Sequence, residues 1–131
     1  MVLFINDYKW GMEQEKKVYP FIKEYFNNNI KQSSSPTAKS DFYDDDTYYE
    51  LKSRKVAMRR YKDTMITADK IVEDKPLVLI FNFTDCLAYI QYNKELFKTF
   101  RTEIFSRDGI EEGYKQHYYV PIEKLTLIKT Y

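Results

Sequence analysis

Asp41, Glu50 and Lys52 are the residues of this chain whose types and spacing could do chemistry. Two β-prone runs, 40–43 and 47–52, flank the cluster Asp44-Asp45-Asp46, a composition suited to a tight turn, so the segment reads as a hairpin. Strand side chains alternate, which puts Glu50 and Lys52 on one face about 7 Å apart along the chain. With Asp45 and Asp46 as the two turn residues, Asp41 stands directly opposite Glu50. Residues opposed in this way have Cβ atoms roughly 4.5–5.5 Å apart. Two carboxylates that close repel unless a proton or a cation lies between them. Hard oxygen ligands select Mg2+ or Mn2+, and Mg2+ commonly takes one or two carboxylates together with waters and a substrate phosphate. A lysine two residues on would orient the attacking water or offset charge on the phosphate.

The remaining composition narrows the chemistry to this kind. Three glycines, at 11, 109 and 113, cannot spell G-x-G-x-x-G or G-x-x-x-x-G-K-[ST], so both glycine-rich phosphate loops are excluded. A single His117 and a single Cys86 exclude a disulfide framework, a Cys/His zinc site and a His-rich metal centre. The length of 131 residues fits one domain, spanning 1–131. Hydrophobic residues at 44% and charged residues at 31% describe a globular chain rather than a disordered one. Aromatics at 18% supply core volume where small aliphatics are scarce. A net charge of +1 does not by itself mark a nucleic-acid binder. No stretch reaches the roughly 18–20 apolar residues of a membrane span. Met1–Ile5 is too short, and lacks the basic leader, to read as a signal peptide. The expected location is the cytoplasm, with no membrane partner.

Elements must hold these residues in place. Residues 2–5 read as a short strand or a buried arm. From about Asp7 to Ile30, Val18, Ile22, Tyr25 or Phe26, and Ile30 recur at helical spacing, with Asp7 as the N-cap. Pro20 predicts a kink, or two short helices meeting near Tyr19. Residues 32–39 form a polar loop. After the hairpin, Ala57, Tyr61, Met65 and Ala68 share one face of a predicted helix from Ser53 to about Asp69. The apolar run 77–83 predicts a strand buried on both faces, returning through Thr84-Asp85 into a strand at 86–92. A helix from about Lys94 to Phe105, a loop reaching Gly113, a strand at 116–120 and a helical turn after Pro121 complete the chain. The order α-β-β-α-β-β-α-β predicts an α/β fold, a central mixed sheet of four to five strands flanked by helices.

Charge is segregated even though it sums to near zero. Residues 41–50 hold five acids and no base, whereas 52–62 hold Lys52, Arg54, Lys55, Arg59, Arg60 and Lys62 and no acid. An acidic pocket beside a basic helix suits a cation plus a phosphate backbone, with Arg54, Lys55, Arg59 and Arg60 as phosphate contacts. The same run also fits a plain solvated helix face. Asp44-Asp45-Asp46 lacks the glycine and glutamate of a calcium loop and reads as a turn. His117 is placed on a strand edge, without the partners of a catalytic triad. Cys86 is placed in the core as a small hydrophobe. Tyr48, on the Glu50 face, and Tyr61 are the aromatic neighbours expected at the site.

Asp41 followed by Glu50-x-Lys52, on a hairpin that comes after a helix, resembles the PD-(D/E)xK nuclease superfamily. The core of that superfamily is α-β-β-β-α-β, with these residues on its second and third strands. The resemblance covers roughly residues 9–92 in order of elements. Gly11-Met-Glu-Gln-Glu15 is similar to the G-x-x-x-E of the first helix in resolvase-like and exonuclease-like members, which makes Glu15 a candidate and Glu13 a weaker one. Ser40 stands where the family places a proline, and Pro20 disturbs the first helix. Acid-x-Lys by itself is unspecific. Asp7-x-Lys9, Glu15-x-Lys17 and Glu73-x-Lys75 share it, and chance supplies on the order of two in such a composition. Only Glu50-x-Lys52 lies on a predicted strand behind an aspartate.

The resemblance implies a restriction-endonuclease-like core and an Mg2+- or Mn2+-dependent hydrolysis of DNA phosphodiesters, in line, leaving a 5′-phosphate. It implies Asp41, Glu50 and the Leu51 carbonyl as metal ligands and Lys52 as the residue that positions or activates water. Glu15 would complete the metal shell or orient a second ion. Small members often act as dimers, so a homodimer is the state it suggests. The alternative expectation is a non-catalytic nucleic-acid-binding or assembly module that retains the nuclease fold. A third is an unremarkable hairpin, with function carried by an aromatic surface.

Overall fold

A computed structural model describes residues 2–35, 37–105 and 115–131, with the side chains of 2–7 and of Phe105 outside the description. The expected loop at Gly109 and Gly113 lies outside these residues. The chain begins with α1 (Val2–Tyr25), β1 (Lys31–Gln32), β2 (Phe42–Tyr43), β3 (Tyr48–Ser53), β4 (Asp63–Thr67) and β5 (Leu77–Asn82). It continues with β6 (Cys86–Gln91), α2 (Lys94–Phe97), β7 (Thr102–Phe105), β8 (Lys115–Pro121) and β9 (Thr126–Thr130). A six-stranded mixed sheet runs in the order β1-β2-β3-β5-β6-β9, and a three-stranded sheet in the order β4-β8-β7. Neighbours in the large sheet are antiparallel except β3 and β5, which are parallel. No helix among the described residues is long and apolar enough to cross a membrane.

The centre of the large sheet is buried on both faces, and β5 shows why its sequence is a continuous apolar run. Val78 and Ile80 pack with Val18 and Ile22 of α1, together with Phe42, Tyr49 and Leu51. Leu77, Leu79 and Phe81 point the other way, against Ile66, Val120 and Ile122 from the small sheet and its flank. All six residues of β5 are buried, the pattern of a strand with no wet side.

Several expectations are corrected. Residues 2–5 are the first turns of α1, not a strand, and α1 is one helix rather than two. Pro20 is tolerated because it is exposed, as is Lys16, whose carbonyl loses its helical donor and can turn to water. The helix predicted from Ser53 to Asp69 does not form. An extended link leads into a 3-10 turn at Met58–Arg60, β4 and a second 3-10 turn at Ala68–Lys70. Thr64 and Ile66 are buried while their neighbours are not, so the period of two prevails over the helical spacing of Ala57, Tyr61, Met65 and Ala68. Thr and Ile also suit a strand better than a helix interior.

The predicted helix from Lys94 stops at Phe97. Asn93 caps it by accepting the Leu96 N–H at 2.9 Å, and the chain then extends into β7. The gain is a cluster in which Phe97 meets Tyr92, Phe100 and Tyr118 at centroid distances of 4.8, 4.9 and 5.5 Å. β9 is an edge strand without a buried residue, which is why no apolar run announces it. The fold is mixed α/β as expected, but one face of the sheet is covered by a second sheet instead of helices.

Candidate active site

The hairpin that carries the candidate residues has the expected register. Phe42 pairs with Tyr49 and Tyr43 with Tyr48, and one further step sets Asp41 opposite Glu50. The turn is closed by the Asp44 N–H donating to the Thr47 carbonyl at 3.0 Å, with Asp45 and Asp46 at its centre. Asp44 organises this turn. Its carboxylate accepts the N–H groups of Asp46 and Thr47 at 2.9 and 2.8 Å, and both Asn27 Nδ2 and the Tyr49 hydroxyl at 2.8 Å. Burial pushes the Asp44 carboxyl up, but these hydrogen bonds outweigh it and hold it below its ordinary value.

β2 is two residues long and β3 is six, so β3 continues past the end of its partner. The Leu51 N–H faces that open edge, where no ladder carbonyl meets it. The Asp41 carboxylate accepts it instead, at 2.8 Å. A strand residue directs its N–H and C=O to the same side, so the Leu51 carbonyl faces the edge that Asp41 occupies. The Asp41 carbonyl accepts the Ser33 N–H at 2.8 Å, which ties it back toward β1.

Glu50 is buried, with 6% of its surface exposed. Burial, then the neighbouring Asp41 charge, push its carboxyl up to about 8, against the lowering charges of Lys70 and Lys52. Glu15 is pushed up to about 7 by burial, then by a hydrogen bond to Asp41 and the Asp41 charge, against a lowering hydrogen bond from Gln32. Burial and the neighbouring Asp41 charge thus act in the same direction on both glutamates, favouring their protonated forms.

No sequence pattern singles out Lys70, yet its Nζ lies 4.0 Å from Glu50 Oε2. It arrives through the crossover between the parallel strands β3 and β5, and no local spacing relates it to Glu50. Asn82, buried at the end of β5, donates to Gln14 of α1 at 2.9 Å and to the Ser53 hydroxyl at 3.1 Å. That bond network pins α1, β3 and β5 around the site.

A cavity of about 560 Å3 has Glu15, Leu51, Lys52, Arg54 and Lys55 in its walls, while Asp41 and Glu50 do not line it. The basic helix expected here is an extended link and a 3-10 turn, and this divides the four predicted phosphate contacts. Arg54 donates to the Met65 carbonyl of β4 and Lys55 stands over the Trp10 ring at 4.8 Å, both at the cavity. Arg59 and Arg60 sit in the exposed turn and do not line it; Arg60 instead stacks on Tyr61 at 5.6 Å. Tyr48 donates to Asp74 at 3.1 Å, and Tyr61 is exposed. Glu13 is exposed to solvent. His117 lies on β8, the central strand of the small sheet rather than an edge. Cys86 is buried, as expected.

Among the described residues, no group of three or more His, Cys, Asp or Glu side chains is arranged to hold a metal ion. Glu15 feels the Asp41 charge, but the three carboxyls do not form one ligand group. Asp41, Glu50 and the Leu51 carbonyl remain a sparse set of hard oxygens, the kind that suits Mg2+ with its retained waters. The chain matches no protein-family model, no curated protein and no solved structure.

Proposed function

We propose that the protein is a divalent-cation-dependent nuclease that hydrolyses DNA phosphodiester bonds at the Asp41–Glu50 pair, in the manner of the PD-(D/E)xK superfamily. One observation carries this reading: Asp41 and Glu50 stand opposite each other at an open strand edge, with Lys52 on the Glu50 face and Lys70 Nζ 4.0 Å from Glu50. Placing like charges together in a buried site works against folding, and a surface that only binds has no use for it. A cation between the two carboxyls gives the pair a purpose. The order of elements also supports the reading. A helix and three strands precede a crossover and a fourth strand, with Glu50 and Lys52 on the third. The crossover here is a strand between two 3-10 turns rather than a helix.

Asp41, Glu50 and the Leu51 carbonyl would hold Mg2+ or Mn2+, which when bound supplies positive charge at the phosphate under attack. The remaining work falls to the chain's own groups. Lys52 orients the attacking water and faces the developing charge. Lys70 favours the ionised form of Glu50 that a cation requires. Glu15, with its carboxyl near 7, holds or gives up a proton beside Asp41. Arg54 and Lys55 hold a neighbouring phosphate and so set the register of the strand. A chain of this size spans few nucleotides, and a homodimer would widen the footprint.

The test is calorimetric titration of Mn2+ into the wild type, Asp41→Ala and Glu50→Ala, with cleavage assays on linear and branched DNA and Lys52→Ala as the control. Loss of Mn2+ binding and cleavage in Asp41→Ala and Glu50→Ala, with cleavage reduced about 10²–10³-fold in Lys52→Ala, is the expected result. Equal binding by the two carboxyl variants, or undiminished cleavage by Lys52→Ala, overturns the assignment. Nucleic-acid binding without metal binding would favour the non-catalytic module.

A further inference from the structure

The inward stripe of α1 does two different things along its length. Val18 and Ile22 are fully buried against the sheet. Earlier on the same stripe, Tyr8, Gly11, Met12 and Glu15 overhang the end of β3 and line the 560 Å3 cavity instead. Tyr8 is 69% exposed and Met12 41%, so this half of the stripe covers no core. The cavity falls within the size range of small-ligand sites.

Gly11 makes the distinction sharper. Glycine weakens a helix interior, and a Cβ at this position would meet nothing within 4 Å. Neither a close approach nor an unusual backbone angle calls for glycine here. Its missing side chain leaves room in the cavity. Trp10 stands at the same opening, with the Lys55 ammonium 4.8 Å from its ring centroid. Aromatic surface, open space and positive charge therefore share one cavity with the Glu15 carboxyl. A nucleotide has the matching parts, a flat base and a phosphate. A base inside a duplex already has both faces stacked and cannot offer one to a ring, whereas an unpaired base can.

We propose that this cavity binds one unpaired nucleotide of single-stranded DNA, its base stacked on Trp10 or Tyr8 and its phosphate held by Lys52, Arg54 and Lys55. The proposal deepens the nuclease reading and rests on it for the chemistry at Asp41 and Glu50, although the binding can be measured alone.

Trp10 is the single tryptophan of the chain, so its fluorescence reports on this cavity directly. With EDTA present to prevent cleavage, the protein is titrated with oligothymidylate, with an abasic strand of equal length and with a blunt duplex. Oligothymidylate should quench Trp10 saturably, and the other two should bind roughly tenfold or more weakly, the scale of losing one stacked base. Gly11→Phe fills the open space while keeping a helix-compatible residue; it should retain the unfolding midpoint and lose a similar factor of affinity. Tyr8→Ala, at an exposed position, supplies a second variant that does not burden the core. Equal binding of the abasic strand, tighter binding of the duplex, or unchanged affinity in folded Gly11→Phe and Tyr8→Ala overturns the proposal. The two readings fail differently. Base-dependent quenching by a protein that cleaves nothing with Mn2+ keeps the cavity and removes the nuclease. Duplex cleavage indifferent to Gly11→Phe does the reverse.

Discussion

The Asp41 carboxylate accepts the backbone N–H of Leu51 at 2.8 Å, just where β3 outruns its two-residue partner β2. This bond holds Asp41 level with Glu50 instead of letting it swing into solvent. It also sets the Leu51 carbonyl on the same edge, so backbone and side chain offer oxygens to one region.

The carboxyls of Glu50 and Glu15 are lifted from an ordinary value of 4.5 to about 8 and about 7. The folded state therefore binds protons that the unfolded chain has released. A raised folded pKa gives stability that is fully present below the unfolded value and is lost as pH rises through the folded one. Without divalent cations, the melting temperature should fall between about pH 5 and pH 8. Glu50→Gln should flatten that fall and exceed the wild type at the alkaline end by up to about 5 kcal/mol, the size of a lift from 4.5 to about 8. Thermal denaturation followed by circular dichroism across pH checks this, and an unchanged slope in the variant would refute it.

Cation binding must displace these protons, so Mn2+ affinity should climb through the same pH range. Lys70 lowers the Glu50 pKa, so Lys70→Met should move the midpoint of that climb to higher pH. At the alkaline plateau, where Glu50 is ionised either way, the variant should bind Mn2+ at least as tightly, with one fewer positive charge competing. Titrations at a series of pH values separate this from a damaged site, which would bind weakly throughout.

Lys52 shares the Glu50 face of β3 but is not a metal ligand in this scheme. Lys52→Ala should leave Mn2+ binding within about twofold and reduce cleavage by about 10²–10³-fold, the loss typical of one group that stabilises a transition state. Calorimetry and single-turnover cleavage on the same preparation decide it.

Asp44 gathers four hydrogen bonds at the turn, whereas Asp45 and Asp46 are exposed. Asp44→Ala should cost about 2 kcal/mol in urea unfolding, and Asp45→Ala and Asp46→Ala less than about 0.5 kcal/mol. Because the turn sets the register, Asp44→Ala should also weaken Mn2+ binding, from a position that holds no ion.

What is legible in the sequence divides along the distance over which each element is decided. The hairpin can be read because its turn residues, its alternation and its opposed acids all lie within one short segment. The run at 77–83 can be read because burial on both faces demands apolar residues at every position. β4 cannot, since its partner is β8, beyond two intervening strands of the other sheet. That distant pairing outweighs a local helical spacing. The same holds for α2 and β7, where aromatic packing around Phe97 ends the helix early. At the site, Asp41, Glu50 and Lys52 follow from local pattern, and Glu15 from the G-x-x-x-E resemblance alone. Lys70 and Gln32 have no sequence signal. Lys70 reaches the carboxyls only because β3 and β5 are parallel and the chain must travel away and return, and Gln32 only through the pairing of β1 with β2.

The shortness of β2 has a consequence beyond chemistry. A strand that extends past its neighbour presents unpaired backbone groups, and another chain's strand can add to them. Asp41 occupies that position with a carboxylate that has already taken the Leu51 N–H. An incoming strand would have to displace this bond and bring its own carbonyls against a negative group. The residue that would hold a cation is thus also what keeps the open edge of β3 from recruiting a second molecule into intermolecular sheet.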